Sequence, residues 1–180
     1  MNPTLRLGLG AFALFLACIP LANWLIGNVG TVCVPNGPCL IPVAPGLMAP
    51  SGVLMIGAAL VLRDIVQRTL GIPWALAAIA IGAFLSLAIA PPALVLASGV
   101  AFLISELADF AVYTPLQRRR LLLAVIASSL VGLVVDSVVF LSLAFGSLDY
   151  LAGQVVGKTW AVLIAFPLVR LVRRVTPQPT

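Results

Sequence analysis

Two carboxylates stand close together in the otherwise apolar stretch LISELADF at residues 103–110. Glu106 and Asp109 are three residues apart, and Tyr113 follows four residues later, so a helix would place all three on one face. A carboxylate is costly in hydrocarbon, and this face is therefore expected to point inward. Two carboxylates there predict a site for a group that offers several hydrogen-bond donors.

Asp136 and Lys158 are charged positions in two later apolar stretches, and Gln154 precedes Lys158 by one helical turn. Counted from the ends of their predicted helices, Asp136 and Lys158 lie at similar depth and are expected to pair. The sequence leaves two interpretations open: the pair only fixes the register of two helices, or it forms part of a binding cavity.

Asn23 in the first apolar stretch and Asp64 in the second complete the set of polar candidates. Asp64 follows Arg63 and precedes Arg68. These three residues either belong to a central polar cavity or form a charge cluster at the membrane interface, from which long side chains reach water.

Catalysis is not favoured by these residues. The Gly-x-Gly-Asp sequence of intramembrane aspartyl proteases is missing around Asp109 and Asp136. The chain has no histidine to serve as a base or a metal ligand, and no Walker motif for ATP. A cavity for a small polar solute fits better, and in a membrane this implies transport. We expect neither a cofactor nor a metal.

The composition places these residues in a lipid bilayer. Hydrophobic residues make up 62% of the 180 residues, charged residues 8%, and the mean hydropathy is +1.21. A soluble domain of this size could not bury so much apolar surface. With about 20 apolar residues per span, the sequence predicts one all-α, polytopic membrane domain over residues 1–180. Its six spans are expected at about 7–27, 51–69, 72–90, 92–114, 121–146 and 150–172.

The net charge of +5 is explained by topology and gives no reason to expect a nucleic-acid partner. Arginines precede the first span, surround the second and fourth turnarounds and follow the last span. The connections at about 28–50, 90–92 and 146–150 carry no Lys or Arg. The positive-inside rule therefore predicts that both termini face the cytoplasm.

Cys33 and Cys39 bracket the segment VPNGP in the one long connection, 28–50, on the predicted outer side. A disulfide would persist there, but two free thiols in a shallow re-entrant loop fit the sequence equally well. This uncharged connection is expected to pack on the protein or to dip into the outer edge of the membrane.

Five blocks in order resemble the queuosine-precursor transporter family, also called the vitamin-uptake-like (VUT) family. They are LANWL at 21–25, APSGVLMIGAALVLRDIVQRTLG at 49–71, ASGVAFLISELADFAVYTPLQ at 97–117, IASSLVGLVVDSVVFLSLAFG at 126–146 and GKTWAVLIAFPL at 157–168.

The resemblance implies a multi-pass importer of the bacterial inner (plasma) membrane. Its six-helix plan would be similar to that of the substrate-binding subunits of energy-coupling-factor vitamin importers. The cargo implied is a 7-deazaguanine, in its 7-cyano or 7-aminomethyl form. The candidate substrate-binding residues are Asn23, Asp64, Glu106, Asp109, Asp136 and Lys158.

In this interpretation Glu106 and Asp109 bind the donor edge of the purine-like base, and Lys158 and Asp136 fix its opposite side. Proton coupling, a homo-oligomer and an external energising module all remain open. The alternatives are a substrate-binding subunit that works only within an ATP-driven vitamin importer, and a structural or assembly protein whose polar residues hold helices together.

Overall fold

The computed structural model describes residues 3–35, 37–90 and 92–175. The chain is 80% helical. Within the described residues there are six α-helices, each within a few residues of a predicted span. They are α1 Pro3–Asn28, α2 Val53–Leu70, α3 Ile72–Ile89, α4 Val95–Leu116, α5 Leu121–Phe145 and α6 Leu151–Val175. A short 3-10 turn, Pro92–Leu94, leads into α4.

Among the described residues, five of the six helices, all except α2, are long and apolar enough to cross a membrane. The prediction of six apolar spans is therefore supported only for five. α2 differs from the other helices because Arg63, Asp64 and Arg68 all fall within its 18 residues. The chain is a multi-pass membrane protein whose second helix carries three charged side chains.

The position of α2 explains how it accommodates these charges. It contacts each of the other five helices, and most of its residues from Gly57 to Gln67 are buried. By contrast, α3 exposes large apolar side chains such as Trp74 and Phe84. Lipid can cover the apolar side chains of α3 without a free-energy penalty, whereas the charges of α2 are shielded from lipid by the neighbouring helices.

The connection between α1 and α2 forms a small antiparallel sheet, which the sequence did not predict. Its strands are β1 Val32–Cys33, β2 Cys39–Ala44 and β3 Leu47–Pro50, in the order β1-β2-β3. Gly46, with φ of 72°, makes the turn between β2 and β3. The sheet packs on α6 and α1, in agreement with the expectation that this connection packs on the protein.

The helices alternate in direction, so that the bundle has two ends. The sheet end carries residues 29–52 and the turns before α4 and α6. The opposite end carries Gly71 and the exposed turn Arg118–Arg120. Both candidate clusters described next lie between these ends.

Candidate functional site

Lys158 on α6 is the only lysine in the chain, and its side chain is buried. Its Nζ donates to Oδ2 of Asp136 at 2.5 Å, to Oγ of Ser137 at 2.7 Å and to Oε1 of Gln154 at 2.6 Å. We call these four residues the Lys158 cluster. Three acceptors match the three protons of the ammonium group, so the charge is fully paired within the protein.

Local helix geometry assembles this cluster. Gln154 and Lys158 are one turn apart on α6, and Asp136 and Ser137 are consecutive on α5. Gly57 on α2 lies against the backbone of Lys158, where a Cβ would come within 2.7 Å of its carbonyl oxygen. The absence of a side chain at Gly57 therefore lets α2 approach α6 at the level of the lysine.

A cavity of about 50 Å³ opens beside the Lys158 cluster, toward the sheet end. Its polar lining comes from five helices: Asn23, Ser86, Ser98, Asp136, Gln154 and Lys158. Phe102 and Phe140 contribute rings to the wall. The amide nitrogen of Asn23 donates to the carbonyl oxygen of Ile19 at 3.0 Å. The volume is room for a few water molecules.

Arg63 on α2 is the centre of a second buried set, with Asp64, Glu106 and Asp109, which we call the Arg63 cluster. Its Nε lies 3.3 Å from Oε2 of Glu106, and its Nη2 contacts Oδ1 of Asp109 and lies 3.0 Å from Oδ1 of Asp64. All four side chains are at most 2% exposed. A guanidinium can serve several carboxylates at once because its donors point in fixed, different directions.

The remaining faces of Arg63 are also occupied. Nη1 donates to Oε1 of Gln67 at 3.0 Å, and Nε2 of Gln67 donates to the hydroxyl of Thr114 at 2.9 Å. The guanidinium carbon lies 5.9 Å from the ring centroid of Phe110 and 5.5 Å from that of Tyr113. These contacts hold Arg63 in place on every side.

The two clusters meet on α4. The hydroxyl of Ser105 donates to Oδ1 of Asp136, 3.4 Å away, and the next residue, Glu106, bonds Arg63. One turn of α4 thus contacts both clusters. A movement of α4 would change the surroundings of both at once.

The predicted site residues fall into two groups in the structure. Asn23, Asp136 and Lys158 line the cavity. Asp64, Glu106 and Asp109 do not line it, and belong to the Arg63 cluster. We expected Glu106 and Asp109 to face one cavity together with Lys158. The structure separates them because Arg63 occupies their carboxylates.

One of the two alternatives left open for Arg63 and Asp64 is excluded. Arg63 and Asp64 do not reach water at the interface, since both are buried among α2, α4 and α5. Tyr113 is also fully buried, in agreement with the expectation that the face it shares with Glu106 and Asp109 points inward. Among the aromatic side chains outside the cavity, Phe110 faces Arg63, and Trp160 is exposed and donates to the carbonyl oxygen of Val43 at 3.3 Å.

Two site residues were missed as candidates. The sequence leaves Arg63 open between a central cavity and the membrane interface, although it lies seven residues before the last residue of α2, about 10 Å inside the helix end. That depth was the available signal. Gln154 was noted only for its spacing to Lys158, and the same spacing identifies it as a member of the Lys158 cluster.

The sheet forms one border of the cavity through Pro50, beside Gly52 at the start of α2. A disulfide joins Cys33 of β1 to Cys39 of β2. The sheet lies directly on α6, where a Cβ at Gly153 would overlap the carbonyl oxygen of Met48. The cavity border and the cavity wall are therefore in direct contact.

The chemistry of the site is that of binding. Within the described residues no group of three or more Cys, Asp or Glu side chains is arranged to hold a metal ion. The cavity offers a carboxylate, two amides, two hydroxyls, an ammonium group and two rings. Such a lining can recognise a small polar, planar solute by hydrogen bonds and stacking.

One comparison with known families gives a match. The model of the family described as "Putative vitamin uptake transporter" matches residues 90–172, somewhat less than half of the chain. This part contains α4, α5 and most of α6, and with them Glu106, Asp109, Asp136 and Lys158. No curated protein and no solved structure matches the chain. The similarity is to membrane uptake transporters and points to transport of a small molecule.

Proposed function

We propose that this protein imports a purine-like queuosine precursor, 7-cyano- or 7-aminomethyl-7-deazaguanine, which binds in the cavity beside the Lys158 cluster. The observation that carries the proposal is the cavity itself, which Lys158 and Asp136 line together with two rings, in a chain similar to uptake transporters. In this proposal the protein lies in a bacterial inner membrane with both termini in the cytoplasm, and the cavity opens to the outside.

The lining matches the edges of a 7-deazaguanine. Asp136 accepts from the ring N–H and the exocyclic amine, which present two parallel donors to a carboxylate. Lys158 donates to the ring carbonyl oxygen. The amides of Asn23 and Gln154 complete the polar edge, and Phe102 and Phe140 stack on the ring faces. Asp136 takes the role that the sequence had assigned to Glu106 and Asp109.

The cavity must widen to accept such a solute. A volume of about 50 Å³ holds a few waters, whereas a bicyclic base needs more room. The sheet and the N-terminal end of α6 border the cavity, and their separation would open it. The described conformation is then a closed state of an alternating-access cycle.

The proposal is tested in a bacterial strain that neither makes nor imports 7-deazaguanines. Each precursor is supplied at low concentration, and the queuosine content of tRNA is measured. We expect rescue by the wild type and loss of rescue with Asp136→Asn and Lys158→Met. Asp149→Asn, an exposed acid outside the cavity, is the matched control and should rescue fully.

Failure of the wild type to rescue at normal membrane levels would overturn the choice of 7-deazaguanine. Rescue by all three variants would support the importer function but exclude the Lys158 cluster as its binding site.

A vitamin is the second candidate cargo, because the matched family is described as one of vitamin uptake. In that case the protein serves as the substrate-binding subunit of an ATP-driven importer. Purified protein in liposomes separates the two proposals. Uptake of a 7-deazaguanine by the protein alone supports the first proposal. Uptake of a vitamin, and only after an ATPase module is added, supports the second.

A further inference from the structure

The Arg63 cluster holds more negative than positive charge. Three carboxylates, those of Asp64, Glu106 and Asp109, surround one guanidinium, and all four groups are buried within the bundle. Like charges that share one buried site cannot all remain ionised without a strong free-energy penalty. The cluster therefore needs a further positive charge.

The surplus charge is concentrated on two of the three acids. Asp64 and Asp109 both approach the same nitrogen, Nη2 of Arg63, whereas Glu106 approaches Nε. Oδ1 of Asp64 is near that nitrogen but without hydrogen-bond geometry, and it has no hydrogen-bond partner. Oδ2 of Asp109 also has none. Two buried carboxylate oxygens are thus left without donors.

We propose that Asp64 and Asp109 share one exchangeable proton and that the Arg63 cluster is a proton-binding site. The proton comes from water and converts one carboxylate to a carboxylic acid, whose O–H donates to an oxygen of the other. One negative charge disappears, and one of the two carboxyl groups becomes a hydrogen-bond donor. This is the arrangement by which a pair of carboxyl groups at close range retains one proton.

The contacts favour a proton over a metal cation. A guanidinium already occupies the point on which the three carboxylates converge, and its charge would repel a metal ion there. In the described part of the chain no acidic group has the arrangement of a metal site. A proton requires no coordination sphere and fits between two oxygens.

Among the described residues, few other charged and polar groups surround the pair. They are Arg63 and the half-buried Arg68 from α2, Glu106 and Tyr113 from α4, and Ser128 from α5, whose hydroxyl donates to Oδ2 of Asp64 at 3.1 Å. Among the described side chains of α6, the apolar Val169 and Val172 line the adjoining space. Asp136 and Lys158 lie beyond Ser105 and are paired with each other.

Release of this proton would change the cavity through α4. Glu106 is bonded to Arg63, and its neighbour Ser105 is bonded to Asp136 of the Lys158 cluster. The use of the proton as a coupling ion rests on the proposed transport function. The existence of the shared proton does not depend on the transport function, and it can be tested without a substrate.

Infrared spectroscopy of the purified protein in lipid tests the proton directly. The chain has only five acidic side chains and no histidine, so the carboxylic C=O stretch of a protonated acid can be assigned by single substitutions. We expect one such band near neutral pH, shifted in D2O and lost at high pH. Asp64→Asn and Asp109→Asn should each abolish it, because the remaining carboxylate then pairs fully with Arg63.

Three variants control this assignment. Glu106→Gln and Asp149→Asn should keep the band, and Ser128→Ala should keep it at a shifted frequency because a hydrogen bond to Asp64 is removed. Absence of the band in the wild type would overturn the proposal. Loss of the band in Glu106→Gln or Asp136→Asn, together with its retention in Asp64→Asn and Asp109→Asn, would place the proton on another residue. That result would also overturn the proposal. These infrared results do not depend on whether the protein takes up a queuosine precursor, so the two proposals can fail separately.

Discussion

Nζ of Lys158 lies 2.5 Å from Oδ2 of Asp136, and both residues line the same cavity. The bond joins α5 to α6 at a buried position, so the pair both holds the bundle together and presents charge to a solute. These two roles can be separated by experiment because they respond differently when both partners are removed.

Lys158→Met or Asp136→Asn alone is expected to destabilise the protein by about 3–5 kcal/mol, because each leaves one partner buried without its counter-charge. The double variant should be more stable than the sum of the two single effects predicts. Denaturant unfolding in detergent measures the four proteins. Precursor uptake should remain lost in the double variant, and strict additivity of the stability changes would contradict a direct coupling.

The single lysine gives a direct reporter of binding. Protein made with isotope-labelled lysine should give one side-chain NMR signal, that of Lys158. Addition of 7-aminomethyl-7-deazaguanine is expected to shift this signal, because the ammonium group exchanges a protein acceptor for the carbonyl oxygen of the base. Adenine, which has no ring carbonyl, is the matched control ligand. Equal shifts with both compounds would argue against recognition at Lys158.

The sequence was sufficient to predict the helices and the Lys158–Asp136 pair, for a physical reason. A span of about 20 apolar residues is set by the thickness of the bilayer, so the apolar runs locate the helices to within a few residues. Depth within a span then follows from counting. Asp136 and Lys158 lie at similar depth, and a buried charge requires a partner.

The position of Arg63 relative to Glu106 could not be predicted in the same way. It depends on how α2 rotates against α4, and that rotation is determined by packing around small residues. At Gly132 on α5, for example, a Cβ would lie 3.1 Å from Cβ of Asp109. The sheet was missed because β1 has two residues, and the strands are interrupted by Pro and Gly.

Contact between the sheet and α6 is predicted to be essential for the cavity. Gly153→Ala would force its Cβ onto the carbonyl oxygen of Met48, and overpacking of this kind costs about 1–3 kcal/mol. We expect a lower thermal unfolding midpoint in detergent and reduced uptake. Gly10→Ala is the matched control, because nothing lies within 4 Å of its Cβ position. Comparable losses in both variants would contradict a specific role of this contact.

The sidedness of the sheet is predicted from the distribution of arginines and can be measured by thiol labelling. Cys33 is exposed, whereas Cys18 and Cys39 are buried. In a variant with Cys18→Ala and Cys39→Ser, Cys33 remains as a lone thiol on the sheet. A membrane-impermeant maleimide should label it in intact spheroplasts, because the positive-inside rule places the opposite end in the cytoplasm.

The control for this measurement is Arg119→Cys in a background without other cysteines. Arg119 is exposed in the turn between α4 and α5, so its thiol should react only after the membrane is permeabilised. The reverse pattern would invert the topology, and the cavity would then open toward the cytoplasm. That result would contradict the proposed entry of the solute from the outside in the described conformation.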